Sequence, residues 1–212
     1  MIIKSIRCTV PDGSRAAFDR AQRAWAALQG FEGFLGQVGG WDTRQPGDAV
    51  VLGLWRDAEA LQRFMGGLHD DVVAANNQGV TYTASDIRTL DHVMDMPGAH
   101  PDLTEALFEG ALLRTALCHV YPSAQAAFED SQREVWRPGM NAAAGMLGGA
   151  FFQRRDGAPV YLVATLWESA EAHAAYAQDH LPRLRAASGA AAQLSAIVGG
   201  QVPLEPAWTV RP

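Results

Sequence analysis

The sequence predicts an α+β protein made of two tandem ferredoxin-like units, each β-α-β-β-α-β, with their sheets packed on each other as a barrel within one chain. Three observations carry that prediction. LWRDAEALQRF, residues 54–64, is echoed by LWESAEAHAAY, residues 166–176, with identity at five of the first seven paired positions. A shift of 110 lays Cys8, Val10, Ala16, Ala17, Phe18, Gln22 and Arg23 on Cys118, Val120, Ala126, Ala127, Phe128, Gln132 and Arg133. A shift of 112 lays Gly33, Leu35 and Gly36 on Gly145, Leu147 and Gly148, so two small indels reconcile the halves. A period near 110 that occurs only twice is a domain duplication; solenoid units are far shorter.

Each copy gives the same order of signals. The apolar runs IIKSIRCTV and LLRTALCHV end at the turn formers PDG and YPS and read as first strands. Phe18, Ala21, Trp25 and Leu28 share a helical stripe, matched by Phe128, Ser131 and Val135. Two hairpins follow, FLGQVGGW with AVVLGLW around QPGD, and MLGGAFFQ with VYLVATLW around RDGAP. The echoed phrase then closes the third strand and opens a second helix, whose buried stripe is Leu61, Phe64, Met65, Leu68 and Val72 in copy one and His173, Tyr176, Ala177, Leu181 and Leu184 in copy two. Gly66 and Gly67, and Pro182 in QDHLP, predict a break in that helix in both copies. SDIRTLDHVMD and part of IVGGQVPLEPAWTV are the expected last strands. The domain limits are therefore 1–96 and 112–212, joined by a Pro/Gly-rich linker over 97–111 with a short helix from Leu103 to Phe108.

The order β-α-β-β-α-β places helices on one face of an antiparallel sheet. The first strands are apolar on both faces, with Ile6, Cys8 and Val10 against Ile3, and Ala116, Cys118 and Val120 against Leu113 and Leu117. That is the reason for expecting the two sheets to pack together.

Composition narrows the function classes. With 48% hydrophobic and 19% charged residues and a formal charge of -6, the chain is an ordinary globular one without the basic run or stripe that nucleic-acid binding needs. No segment approaches 18 uninterrupted apolar residues and the start lacks a signal-like stretch, so neither a membrane span nor export is expected and the reading is cytoplasmic. The two cysteines, Cys8 and Cys118, lie in apolar strands and read as small buried hydrophobes. No His, Cys or carboxylate spacing fits a metal, so no metal or cofactor is expected.

The runs SIRCTVPDG, GFLGQVGGW and LW-x-D-x-EA-x-x-x-FM-x-x-x-HD resemble the YdbC-like proteins, a bacterial domain family of unknown function. The layout is similar to the dimeric α+β-barrel superfamily, which includes the antibiotic-biosynthesis monooxygenases and the haem-degrading enzymes. The resemblance covers residues 1–96, and copy two resembles a diverged member of the superfamily. The haem-degrading relatives use an Asn on the first strand, and a Trp and a His on the second helix. Here Arg7 and Leu117 stand at the Asn position, Phe64 and Tyr176 at the Trp position, and Ala74 near the His position, which disfavours haem degradation.

The residues that did not repeat are the expected site. Arg7 and Thr9, with His119 in copy two, fall on the strand face opposite Ile6, Cys8 and Val10, and a charge there needs a partner or water. Arg7 therefore points either to a ligand cavity or to an acidic partner. His69 and His180 sit at the helix breaks, where nearby N–H groups favour a neutral imidazole able to act as a base, or His69 simply pairs with Asp70. The expected catalytic residues are His69, Arg7 and His119; the expected ligand-lining residues are Trp41, Thr9 and Phe64. Trp55 and Trp167, present in both copies, read as packing residues.

Three functions compete: a cofactor-independent monooxygenase-like enzyme on a small aromatic or enolisable molecule, a non-catalytic small hydrophobic ligand-binding or stress-related module, and a structural interaction protein with a filled barrel. A cavity above about 300 Å³ lined by Arg7 and Trp41 favours the first two. A homodimer is compatible with all three, and any surviving site is expected in copy one.

Overall fold

A computed structural model describes all 212 residues, which form two compact units: Met1–Thr89 with Val202–Pro212, and Leu90–Gln201. The chain runs β1 (Ile2–Thr9), α1 (Arg15–Arg23, continued by a 3-10 turn Ala24–Leu28), β2 (Phe34–Trp41), β3 (Asp48–Trp55), α2 (Ala58–Met65), α3 (Leu68–Asn76) and β4 (Ala84–Pro97). It continues through α4 (Leu103–Ala106), β5 (Leu112–Val120), α5 (Gln125–Ser131), α6 (Arg137–Asn141), β6 (Met146–Arg154), β7 (Val160–Trp167), α7 (Ala170–Asp179), α8 (Leu181–Ser188), α9 (Ala190–Gln193) and β8 (Leu194–Pro203). The class is α+β, and each unit has the ferredoxin-like order read from the sequence.

In unit 1 the strands are hydrogen-bonded in the order β2-β3-β1-β4, and in unit 2 in the order β4-β6-β7-β5-β8. Within unit 2, Leu90–Pro97 of β4 pairs antiparallel with β6. β1 pairs antiparallel with β3 from Ile2↔Trp55 to Thr9↔Asp48, and β5 pairs the same way with β7 from Leu112↔Trp167 to His119↔Val160. Even the irregularities repeat: β2 bulges between Phe34 and Gly36, and β6 between Met146 and Gly148.

Strand alternation decides which residues meet the helices. The unit 1 helix-side core gathers Ile2, Phe34, Trp55, Ala60 and Phe64 in one cluster and Cys8, Val10, Phe18, Val51 and Trp208 in another. Unit 2 repeats it with Cys118, Phe128, Tyr161, Val163, Trp167 and Tyr176. The second helices break where expected. α2 stops at Gly66 and α3 restarts at Leu68, while α7 ends at Asp179 and α8 begins at Leu181 with Pro182 in its first turn.

The first helices diverge. In unit 2 a π turn, Gln132–Trp136, separates α5 from α6. Pro138 lacks the N–H that would bond the carbonyl of Glu134, which lies inside that turn. The short helix of the 97–111 segment ends at Ala106 rather than Phe108, and it buries Leu103 and Ala106 completely. β8 starts at Leu194 and stops at Pro203; the rest of the expected last strand turns into a 3-10 turn, Pro206–Trp208, because Pro203 and Pro206 supply no ladder donors.

Candidate functional site

A cavity of about 220 Å³ lies in unit 1 between the sheet and its helices. Its floor is the helix-facing side of β1 and β3, with Lys4, Ile6, Cys8, Val51 and Trp55; Phe18 and Gln22 of α1, Trp25, Phe64 of α2 and His69 of α3 cover it. Aromatic rings make most of the wall. Trp55 and Phe64 stack at 4.8 Å, and Trp25 meets Phe64 edge-on at 6.1 Å.

The polar groups are few and fixed. The Trp25 indole can only donate, so it sets the orientation of a relay: Trp25 Nε1 donates to Gln78 Oε1 at 2.8 Å, and Gln78 Nε2 donates to Gln22 Oε1 at 2.9 Å. The relay spends the Gln22 carbonyl and leaves its NH₂ as a donor at the cavity wall. Lys4, only 9% exposed, has one polar contact, to the Sδ of Met65 at 3.2 Å, and lies 5.8 Å from the Phe64 ring centre. A thioether is a weak acceptor, so the ammonium is poorly compensated. Burial accordingly holds the Lys4 pKa below its ordinary 10.5.

His69 packs against Phe64 at 5.4 Å and Trp25 at 5.7 Å, and its Nδ1 bonds Asp70 Oδ1 at 2.9 Å. That bond orients the ring and leaves Nε2 to act as an acceptor. Phe64 thus has both a cation and an imidazole within about 6 Å of its ring centre. Burial, aided by the Asp48 charge, pushes the Cys8 thiol up to about 11, so it stays protonated at neutral pH and supplies no nucleophile. No group of three or more His, Cys, Asp or Glu is placed to hold a metal ion.

Of the six residues expected from the sequence, the structure brings His69 and Phe64 together in this cavity. Arg7, Thr9 and Trp41 are not among its lining residues. Arg7 donates to Asp42 at 2.8 Å and Asp48 at 3.0 Å, and Thr9 Oγ1 donates to the same Asp48 at 3.0 Å. Odd residues of β1 face away from the helices, so this cluster ties the strand to the β2–β3 turn on the other face. Trp41 packs on Phe18 and Trp208, with the Arg15 guanidinium 3.9 Å from its ring centre. His119 lies in unit 2 on β5, where its carbonyl accepts from Ser195 Oγ at 3.1 Å. A cavity above about 300 Å³ lined by Arg7 and Trp41, the criterion set from the sequence, is therefore not what unit 1 holds; its cavity is smaller and lies on the opposite face of β1.

Lys4 is the residue that sequence reasoning passed over. Its signal was present: a cation among Ile2, Ile6 and Cys8 on the helix-facing alternation, with Arg114 at the same place in copy two.

Unit 2 contains the counterpart cavity, about 450 Å³ in volume. Arg114, Ala116, Cys118, Phe128, Gln132 and Val163 line it at the positions of Lys4, Ile6, Cys8, Phe18, Gln22 and Val51. Ser85 and Ile87 on β4 are matched by Ser195 and Ile197 on β8. A cavity thus survives in both copies, and the larger one is in the copy where no site was expected.

Residues 2–90 match a domain of unknown function (DUF4937), and residues 113–193 match the antibiotic biosynthesis monooxygenase family. The uncharacterized protein YdbC of Bacillus subtilis (strain 168) is 31% identical over 102 residues, which span 47% of this chain and 84% of that protein. The chain belongs to the YdbC-like family. At 212 residues it carries, beyond the YdbC-like region, a second unit that matches the monooxygenase family. Solved structures with the same fold include one from Lactobacillus acidophilus NCFM whose name proposes a monooxygenase, with a TM-score of 0.72 at 14% identity, covering 99% of this chain and 95% of that one. Another so named, from Fusobacterium nucleatum subsp. nucleatum ATCC 25586, gives 0.76 at 10% identity over 96% and 91% of the two chains. An anthrone oxidase-like protein gives 0.69 at 12% identity over 96% and 90%. At these identities the likeness shows the fold alone. No helix is long and apolar enough to cross a membrane.

Proposed function

We propose that the unit 1 cavity carries out a cofactor-independent, monooxygenase-like reaction on a small aromatic or enolisable molecule. The observation that carries the reading is Lys4, a buried ammonium with only a thioether to accept from it, near the same Phe64 ring that His69 packs against. An apolar cavity of about 150 Å³ holds benzene, so 220 Å³ admits a substituted ring. The aromatic wall receives that ring, His69 Nε2 takes a proton from it, and Lys4 and the Gln22 NH₂ stabilise the oxyanion that results. The electron-rich anion then reduces molecular oxygen. For an activated methylene, one oxygen atom becomes the new carbonyl and the other leaves as water with the two hydrogens. Arg7, Thr9 and Trp41 act as scaffold in this reading, and His119 takes no part.

Oxygen uptake by the purified chain with a panel of phenols, hydroquinones and activated methylenes tests the proposal. At least one compound consumes oxygen, and Lys4→Met and His69→Ala each lower the rate by about 10²-fold or more. No uptake with any compound, or uptake indifferent to both substitutions, overturns it. The second reading, a small-ligand or stress-related binding module, is favoured by the Trp25–Gln78–Gln22 relay, which fixes a donor rather than moving a proton. Saturable binding of the same compounds without oxygen uptake is its signature.

A further inference from the structure

We propose that the unit 2 cavity binds an aliphatic carboxylate, with the carboxylate held by Arg114 and Arg185 and the chain lying in the pocket behind them. The two cavities share a frame but differ in chemistry. Unit 1 is walled by rings and has a single cation; unit 2 is walled largely by Met140, Leu181, Leu194, Ile197, Ala190 and Ala191 and has two. No acidic side chain lines it. Arg114 is half-buried on the β5 floor, and Arg185 is exposed on α8 at the rim. Flexible aliphatic walls suit a chain better than a plane, and a guanidinium fork matches a carboxylate with two parallel bonds.

Tyr176 belongs to the core that packs behind this cavity. It stands where unit 1 has Phe64, so copy two has gained a hydroxyl at that position. The side chain is 2% exposed, and its hydroxyl has no hydrogen-bond partner. Burial raises the phenol's pKa, and the charges of Arg114 and Arg185 both pull it down. Tyr176 does not itself line the cavity, so the two guanidiniums are the groups that meet the carboxylate. The volume of about 450 Å³ lies within the range of small-molecule sites. The π turn widens the same wall, since Gln132 and Trp136 both belong to it and both line the cavity.

Calorimetric titration of the full chain with decanoate, decanol and decylamine tests the proposal, which does not depend on the reading of unit 1. Decanoate binds one per chain, decanol binds at least about tenfold more weakly, and decylamine gives no saturable binding. Arg185→Met weakens decanoate about tenfold or more and leaves decanol unchanged; because Arg185 is exposed, this variant does not depend on how the core tolerates Arg114→Met. Lys4→Met has no effect. Equal affinity for decanoate and decanol overturns the proposal. So does decanoate binding that survives Arg185→Met but is lost in Lys4→Met, or the absence of binding at about 1 mM decanoate.

Discussion

Gly33 and Gly145 explain why one phrase of the sequence is repeated. Both have positive φ, +84° and +76°, and a Cβ at either would stand 2.5 Å from the Cβ of Ala60 or Ala172. Those alanines are the second Ala of the repeated AEA, and larger side chains would push the corner apart. Their N–H groups are capped by Asp57 at 2.8 Å and Ser169 at 3.1 Å, while Arg56 and Glu168 donate backbone bonds to Gly33 and Gly145. What repeats is thus the corner where third strand meets second helix. Lys4 is different, because it costs stability where it stands. Lys4→Met removes a poorly compensated charge and keeps the volume, so the variant is expected to be more stable by roughly 1–4 kcal/mol near neutral pH. The folded chain holds the Lys4 pKa below 10.5, so as pH rises from that lowered value toward 10.5 the folded form has released a proton that the unfolded form retains. Wild-type stability therefore rises relative to the variant across that window, and the gap narrows. Urea unfolding of both proteins between about pH 7 and 10 measures it; a gap that stays constant would mean that Lys4 is solvated.

The elements were legible because their signals are local, and the pairing of halves made each one readable twice. β1, β2, β3 and their counterparts lie within a residue or two of their expected limits, and the helix breaks at Gly66 and Pro182 follow from backbone chemistry alone. The site was less legible, since it depends on which face of β1 the helices cover. Arg7 and Lys4 are both cations on one strand, three residues apart and hence on opposite faces. Only the positions of Asp42 and Asp48 distinguish them: both aspartates sit at the β2–β3 turn and reach Arg7. The role assigned to Arg7 is thus to hold that turn against β1. Asp42 has a fully buried side chain that also accepts from the Arg44 backbone N–H at 2.9 Å, so Arg7→Leu removes one charged partner from a buried carboxylate. The expected cost is about 3 kcal/mol in chemical denaturation, part of which returns in the double variant Arg7→Leu, Asp42→Asn. A single variant within about 0.5 kcal/mol of wild type would show that the cluster does not hold the turn.

At the scale of the molecule, the division of the chain sets an order of events. Unit 2 is one continuous segment, Leu90–Gln201, whereas unit 1 needs both ends, Met1–Thr89 and Val202–Pro212. The tail is not decoration. Trp208 is fully buried against Phe18 and Trp41, its indole donates to Asp19 at 2.8 Å, and Val210 exchanges two backbone bonds with Gln37. Closing a loop between Gln37 and Val210 costs entropy that grows with the logarithm of its length, so this contact forms late. Unit 2 is therefore expected to complete its sheet before unit 1 on refolding, although it follows unit 1 in the sequence. Pulsed hydrogen exchange during refolding reads this directly: amides of β5, β6 and β7 gain protection ahead of those of β1, β2 and β3. Trp208→Ala sharpens the test, because it removes about 3–5 kcal/mol from unit 1 alone. Protection of β1–β3 then falls while that of β5–β7 keeps its rate and extent. Simultaneous protection of both strand sets in the wild type, or equal losses in the variant, would show that the two units fold as a single cooperative block.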